Sequence, residues 1–183
     1  TITVQSANVP SYSNLHGDGV TFTGGGSAVA LDSGSDSTVT DADTPVFNGG
    51  TLTLSVASGG VSGEDVLTIP HVGTSTGQIG VAGSTIKYGN LAIGTFTGGT
   101  SGADLVITFN NGTGFNTTDA TLAAVQALGR VITYSAGASP TVQNRTVTYS
   151  LNDGSNAGTA TVNVTVAAAA VNNAPVITSN SGG

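Results

Sequence analysis

Apolar and polar residues alternate with a period of two through most of the chain. The pattern is seen in GVTFT (19–23), TLTLSV (51–56), DVLTI (65–69), TIKYG (85–89), LVITF (105–109), RVITYS (130–135), RTVTYSL (145–151) and TATVNVTV (159–166). Successive side chains of an extended backbone point to opposite sides, so each run predicts a strand with one buried face. In the last run Val162, Val164 and Val166 share one face, and Thr161, Asn163 and Thr165 share the other. Turn-forming clusters separate the runs: GGG at 24–26, NGG at 48–50, GG at 59–60 and 98–99, and NNGTG at 110–114. Many short strands divided by such turns predict an all-β, antiparallel sandwich.

One segment departs from this period. In TTDATLAAVQALGR (117–130), Leu122, Val125 and Leu128 recur at helical spacing, Thr117 or Thr118 offers a capping hydroxyl, and Gly129 offers a stop. One short helix, about 117–129, is expected to pack against the sandwich. GGTSGADLV (98–106) touches the nonapeptide pattern of calcium-binding β-rolls, but a roll needs several copies; one imperfect copy reads as a turn before a strand.

Composition narrows the function classes. The 183 residues suffice for one good-sized domain or two small ones. Lys87, Arg130 and Arg145 are the only strong bases, against nine Asp and Glu64, for a formal net charge of −7. So few cations cannot neutralise a run of phosphates, which argues against nucleic acid and against anionic membrane surfaces. No apolar run approaches the ~20 residues that span a bilayer, so membrane insertion is not expected. The chain opens directly on TITVQ without a secretory signal and reads as a mature chain or a fragment. Cys and Met are absent, while Gly, Thr, Ser, Ala, Val and Asn dominate, as in secreted bacterial surface proteins. Catalysis finds little support: His16 and His71 fall in predicted loops without recognisable partners, and neither G-x-S-x-G nor H-E-x-x-H occurs. A chain without Trp also lacks the usual stacking platform of a two-carboxylate sugar cleft. A non-enzymatic protein is expected.

Charge is scarce, yet STVTDADTPVFNGGTLTLSV (37–56) places Asp41 and Asp43 two residues apart. On an extended backbone such residues point the same way, so the carboxylates converge and repel unless a cation sits between them. A hard divalent cation takes roughly six to eight oxygens, and calcium tolerates irregular geometry. Asp32 and Asp36 lie just upstream; they either add ligands or belong to a solvated SGSD loop. Glu64 and Asp65, adjacent on a strand, would face opposite ways and could not act jointly without a bulge, which leaves Glu64 as a candidate ligand at one edge or a turn residue.

The two ends of the chain are related. NVPSYSNLHG (8–17) aligns with NAPVITSNSG (173–182), matching Asn, Pro and Gly at a constant offset of 165 residues. The expected organisation is a tandem array. Residues 1–10 form the last strand and linker of a preceding unit, 11–171 one sandwich repeat, and 172–183 a linker and the start of the next unit.

With these landmarks the chain resembles the cadherin-like repeats of giant bacterial surface and adhesion proteins. STVTDAD followed by GTLTLSV resembles the strand ending in Asp-x-Asp and the strand after it. YSLNDGSNAGTATVNVTV resembles the late hairpin with Asp-Gly in its turn, and VNNAP (171–175) the Asn-Asp-Asn-Ala-Pro linker. AVALDSGSDSTVTDAD and GEDVLTI are also similar to the bacterial relatives, whereas the middle, about 60–135, is a long insertion without the family's Asp-Arg-Glu motif. The resemblance implies an immunoglobulin-like sandwich with a calcium site in which Asp153 and the linker residue Asn8 join Asp41 and Asp43. At the far joint Asn172 and Asn173 offer less charge than a typical linker, which implies binding in the micromolar-to-millimolar range. It further implies an extracellular, cell-surface module of an adhesin that contacts neighbouring repeats or identical subunits, and a cell-surface glycan or protein. Two other readings stand beside it: a self-assembling subunit of a surface layer or filament, pairing TITVQSA (1–7) with a neighbour's sheet edge, and a glycan- or protein-binding module using the Thr/Asn-rich outer faces or Gly-rich loops of the insertion.

Overall fold

The computed structural model describes residues 8–114 and 116–170. The predicted linker and repeat start at 172–183, and the predicted edge strand at 1–7, lie outside them. The elements in chain order are β1 (Ser11–Ser13), β2 (Gly19–Thr23), β3 (Val29–Ala30), β4 (Thr38–Thr40), β5 (Thr51–Ser58), β6 (Val66–Thr68), β7 (Ile79–Ala82), β8 (Thr85–Tyr88), β9 (Leu91–Gly98), β10 (Leu105–Phe109), α1 (Leu122–Val131), β11 (Thr133–Ser135), β12 (Asn144–Asn152) and β13 (Ala157–Ala167). Among the described residues the fold is all-β with one helix, consistent with a sandwich, as the alternation predicts.

One layer is an eight-stranded sheet in the order β2-β13-β12-β5-β10-β9-β8-β7. Its pairs are antiparallel, as expected, except β13–β2, which is parallel. The two strands lie far apart in sequence, so no tight hairpin dictates an antiparallel pairing between them. The second layer is composite, made of the β1–β4 pair, α1, and the three-stranded sheet β3-β11-β6. Between them lies one core. Leu52, Leu54, Ile107, Val147, Tyr149 and Val164 are among its fully buried members. Edge-to-face aromatic pairs bridge the layers: Tyr12 of β1 with Tyr149 of β12 at 5.7 Å, and Phe22 of β2 with Tyr134 of β11 at 5.8 Å.

The helix begins later than its sequence suggests. Thr121, not Thr117 or Thr118, is the N-cap, its hydroxyl accepting from the Ala124 N–H at 3.3 Å. Residues 117–119 are drawn instead into bridges and a hydrogen bond with β9 and its neighbouring loop, including Thr118 N–H to Ala92 C=O. Gly129 does not stop the helix either; Arg130 and Val131 continue it, so β11 starts only at Thr133. The glycine serves packing. A Cβ there would lie 2.7 Å from Tyr12 Cε1 and 2.8 Å from its hydroxyl. Tyr12 cannot retreat, being buried against Tyr149 and bonded through its hydroxyl to the Val125 carbonyl. Gly129→Ala is therefore expected to destabilise by ~1–3 kcal/mol through overpacking, despite the ~1 kcal/mol that alanine ordinarily gains in a helix. Urea unfolding checks this, and an equally stable variant would contradict it.

The hairpin β12–β13 fixes the long axis. Its turn at 153–156 marks one pole, and Asn144, paired with Thr165, marks the other. The eleven residues of β13 cover roughly 30 Å. Pro10 packs beside Gly158 near the first pole, whereas the last described residues follow β13 at the second. The described chain thus comes in at one pole and leaves at the other. No helix among the described residues is long and apolar enough to cross a membrane.

Candidate metal centre

Two turns bring the acidic groups together at the first pole. After β4, Asp41 folds back on its own backbone, one carboxylate oxygen accepting the N–H groups of Asp43 and Thr44 at 3.2 Å each. This is an Asx turn, and it replaces the extended geometry expected for Asp-Ala-Asp; the two side chains still converge, but through the turn. In the β12–β13 hairpin, Asp153 does the same with Ser155 and Asn156, whose N–H groups donate to its Oδ1 at 2.6 and 2.7 Å. Gly154 adopts φ +101°, a conformation the turn requires and other residues resist. Asp43, Asp41 and Asp153 each place an oxygen within 4.8 Å of the others, running from exposed through half-buried to buried.

The decisive detail is what the turns leave over. Oδ2 of Asp41 and Oδ2 of Asp153 are buried and have no hydrogen-bond partner among the described residues. Asp153 as a whole is only 8% exposed. A buried carboxylate oxygen without a donor carries a desolvation cost of ~1–3 kcal/mol or more, and here two stand in one like-charged cluster. A cation resolves both costs at once. This arrangement can take a metal ion.

The same crowding shifts the acidities of the pair. Burial, and then the neighbouring Asp43 carboxylate, raise Asp41 above its ordinary value, whereas the Asn8 N–H, at 2.9 Å from Oδ2, lowers Asp43. Of the two, Asp41 is the more readily protonated.

Asn8 lies beside the cluster, and its observed contact is the backbone N–H donated to Asp43, where the resemblance implies an oxygen ligand. Asp32 and Asp36 do not join the cluster. Asp32 is buried and spends both oxygens on its own loop, accepting from the N–H groups of Asp36 and Ser37, while Asp36 is exposed. Glu64 sits towards the opposite pole, where it accepts from the Thr141 N–H and hydroxyl and faces Arg145 at 3.5 Å. Asn172 and Asn173 lie outside the described residues. His16 and His71 are exposed loop residues tied to Thr161 and to the Val81 backbone. Sequence reasoning did not single out Asn156, Gly158 or Arg145. The first two could have been suspected from NDGSNAG, where an amide and a side-chain-free position follow the Asp-Gly turn.

No protein-family model, curated protein or solved structure matches the chain.

Proposed function

We propose that the chain is a calcium-binding structural repeat of an extracellular bacterial adhesin, in which the ion stiffens the joint with the preceding unit. The observation that carries this reading is the pair of buried oxygens on Asp41 and Asp153 without a partner among the described residues, next to the residues that lead into the domain. The donor set favours calcium over softer metals: among the described residues it consists of three carboxylates, without Cys or His. The poles support a rod. A chain arriving at one end of the sandwich and leaving at the other stacks units head to tail. The mechanism is linkage, because an ion that binds the ordered joint and not the loose one favours the ordered joint. Without metal, three carboxylates repel and the joint becomes a hinge.

Calorimetric titration tests the reading. One calcium ion per chain is expected to bind in the micromolar-to-millimolar range, with the heat lost in Asp153→Asn; absence of heat in the wild type at low salt would contradict it. The affinity also has a predicted pH dependence. Asp41 must be ionised to bind, and its titration is raised, so affinity falls as pH drops through that raised range. In the metal-free protein the sign reverses: the favourable protonated state of Asp41 is lost as pH rises, while the lowered Asp43 contributes stability above the usual carboxylate range and loses it in acid.

A second reading, a glycan-binding module, draws on one feature. A half-open depression of about 350 Å³ on the large sheet is lined by Thr85, Thr95, Thr108, Thr117 and Phe109, without a charged side chain. Its lining is mostly apolar, which suits the apolar face of a neutral sugar ring, and a reproducible glycan-array hit abolished by Thr95→Arg would favour this reading.

A further inference from the structure

We propose that Asn156 and Gly158 are positioning residues that couple ion binding to the seating of the incoming segment Asn8–Pro10. The inference rests on the calcium reading above and concerns how the site grips the joint.

Asn8 is held on both sides of its backbone. Its N–H donates to Asp43 Oδ2 at 2.9 Å, and its carbonyl accepts from the Asn156 side-chain amide at 3.4 Å. The N–H of Asn156 in turn donates to Asp153 Oδ1 at 2.7 Å. A continuous chain of contacts, Asp43–Asn8–Asn156–Asp153, therefore joins two of the three carboxylates through the incoming backbone.

Gly158 supplies a second, independent contact. It is a regular residue of β13 paired with Leu151, and its backbone has none of the left-handed φ that would call for glycine. A strand position ordinarily favours a branched side chain. Here a Cβ would lie 1.8 Å from the Pro10 carbonyl oxygen and 3.1 Å from Val9 Cγ1. The missing side chain makes room for the incoming segment to lie flat on the sheet margin. Burial secures only the Pro10 end, which is buried, whereas Asn8 and Val9 stay exposed, Val9 at 51%.

An ion at Asp41, Asp43 and Asp153 fixes the carboxylates to which Asn8 is tied, so ion and seated segment stabilise one another. Coupling of this kind is reciprocal: the factor by which calcium protects the segment equals the factor by which the seated segment tightens calcium.

The experiment combines calcium chloride calorimetry with amide exchange measured by NMR on the full chain at neutral pH. In the wild type, saturating calcium is expected to slow exchange of the Asn8 amide by about tenfold or more. Gly158→Ala and Asn156→Ala are each expected to bind calcium several-fold more weakly, with the slowing reduced by a matching factor. A purely structural role would not produce that match. Wild-type calcium binding with unchanged Asn8 exchange would overturn the coupling, as would wild-type affinity and slowing in both variants. Should Gly158→Ala disturb the β12–β13 amide resonances, Asn156→Ala decides alone. Absence of any calcium heat in the wild type is a different result: it overturns the calcium reading itself, and the coupling with it.

Discussion

Replacing Arg145 by methionine is expected to destabilise the fold by ~3–5 kcal/mol, the cost of stranding a buried charge. Arg145 is fully buried, and its partner Asp65 is 1% exposed, with Nε and Oδ1 at 3.0 Å. The guanidinium also donates to the Gln143 and Thr141 carbonyls at 2.9 and 3.2 Å and faces Glu64. The Tyr134 hydroxyl and the Val61 N–H complete the Asp65 carboxylate. Methionine fills much of the space but leaves Asp65 charged and buried with only those two donors. Adding Asp65→Asn removes the stranded charge and is expected to recover part of the loss. Urea unfolding at pH 7 measures both; a single-variant loss below ~1 kcal/mol would contradict the assignment.

This network also sets the second acidic pair apart from the first. Glu64 and Asp65 lie in the turn before β6, not on the strand itself, so both can meet the same arginine. Towards that pole the carboxylates have a cation built into the chain. At the other, among the described residues, Asp41, Asp43 and Asp153 have none, and two of their oxygens go unpartnered.

The second large effect is metal dependence of stability. Calcium at a hundredfold excess over its dissociation constant is expected to add ~2.7 kcal/mol. For a domain of this size that corresponds to a rise in melting temperature of roughly 5–10 °C over the chelated protein. Asp153→Asn should abolish most of the rise, because it removes a buried ligand. Asp43→Asn should reduce it less, because Asp43 stands at the exposed mouth. Identical melting curves with calcium and with chelator at low salt would contradict the proposal.

The strands were legible where apolar residues alternate without interruption: GVTFT and LVITF coincide with β2 and β10. β9 escaped because Gly94 breaks its pattern; the position admits no side chain, a Cβ falling 2.4 Å from the Thr108 carbonyl oxygen. β1 and β3 are too short to carry a period. The helix was legible in kind but not in register, since Gly129 answers to Tyr12, a residue more than a hundred positions away. At the site, Asp41 and Asp43 could be named from their spacing, and Asp153 and Asn8 from a resemblance. What was hidden is everything decided by long-range contact: which carboxylate oxygens are left over, that Arg145 claims Asp65 across 80 residues, and that Gly158 is a seat for Pro10.

The most direct test is a high-resolution crystal structure of the chain grown in millimolar calcium, with an anomalous difference map. The account predicts one peak coordinated by Asp41, Asp43 and Asp153, with calcium–oxygen distances of about 2.3–2.6 Å. Carboxylates turned apart into solvent, with only water between them and no anomalous peak, would contradict it.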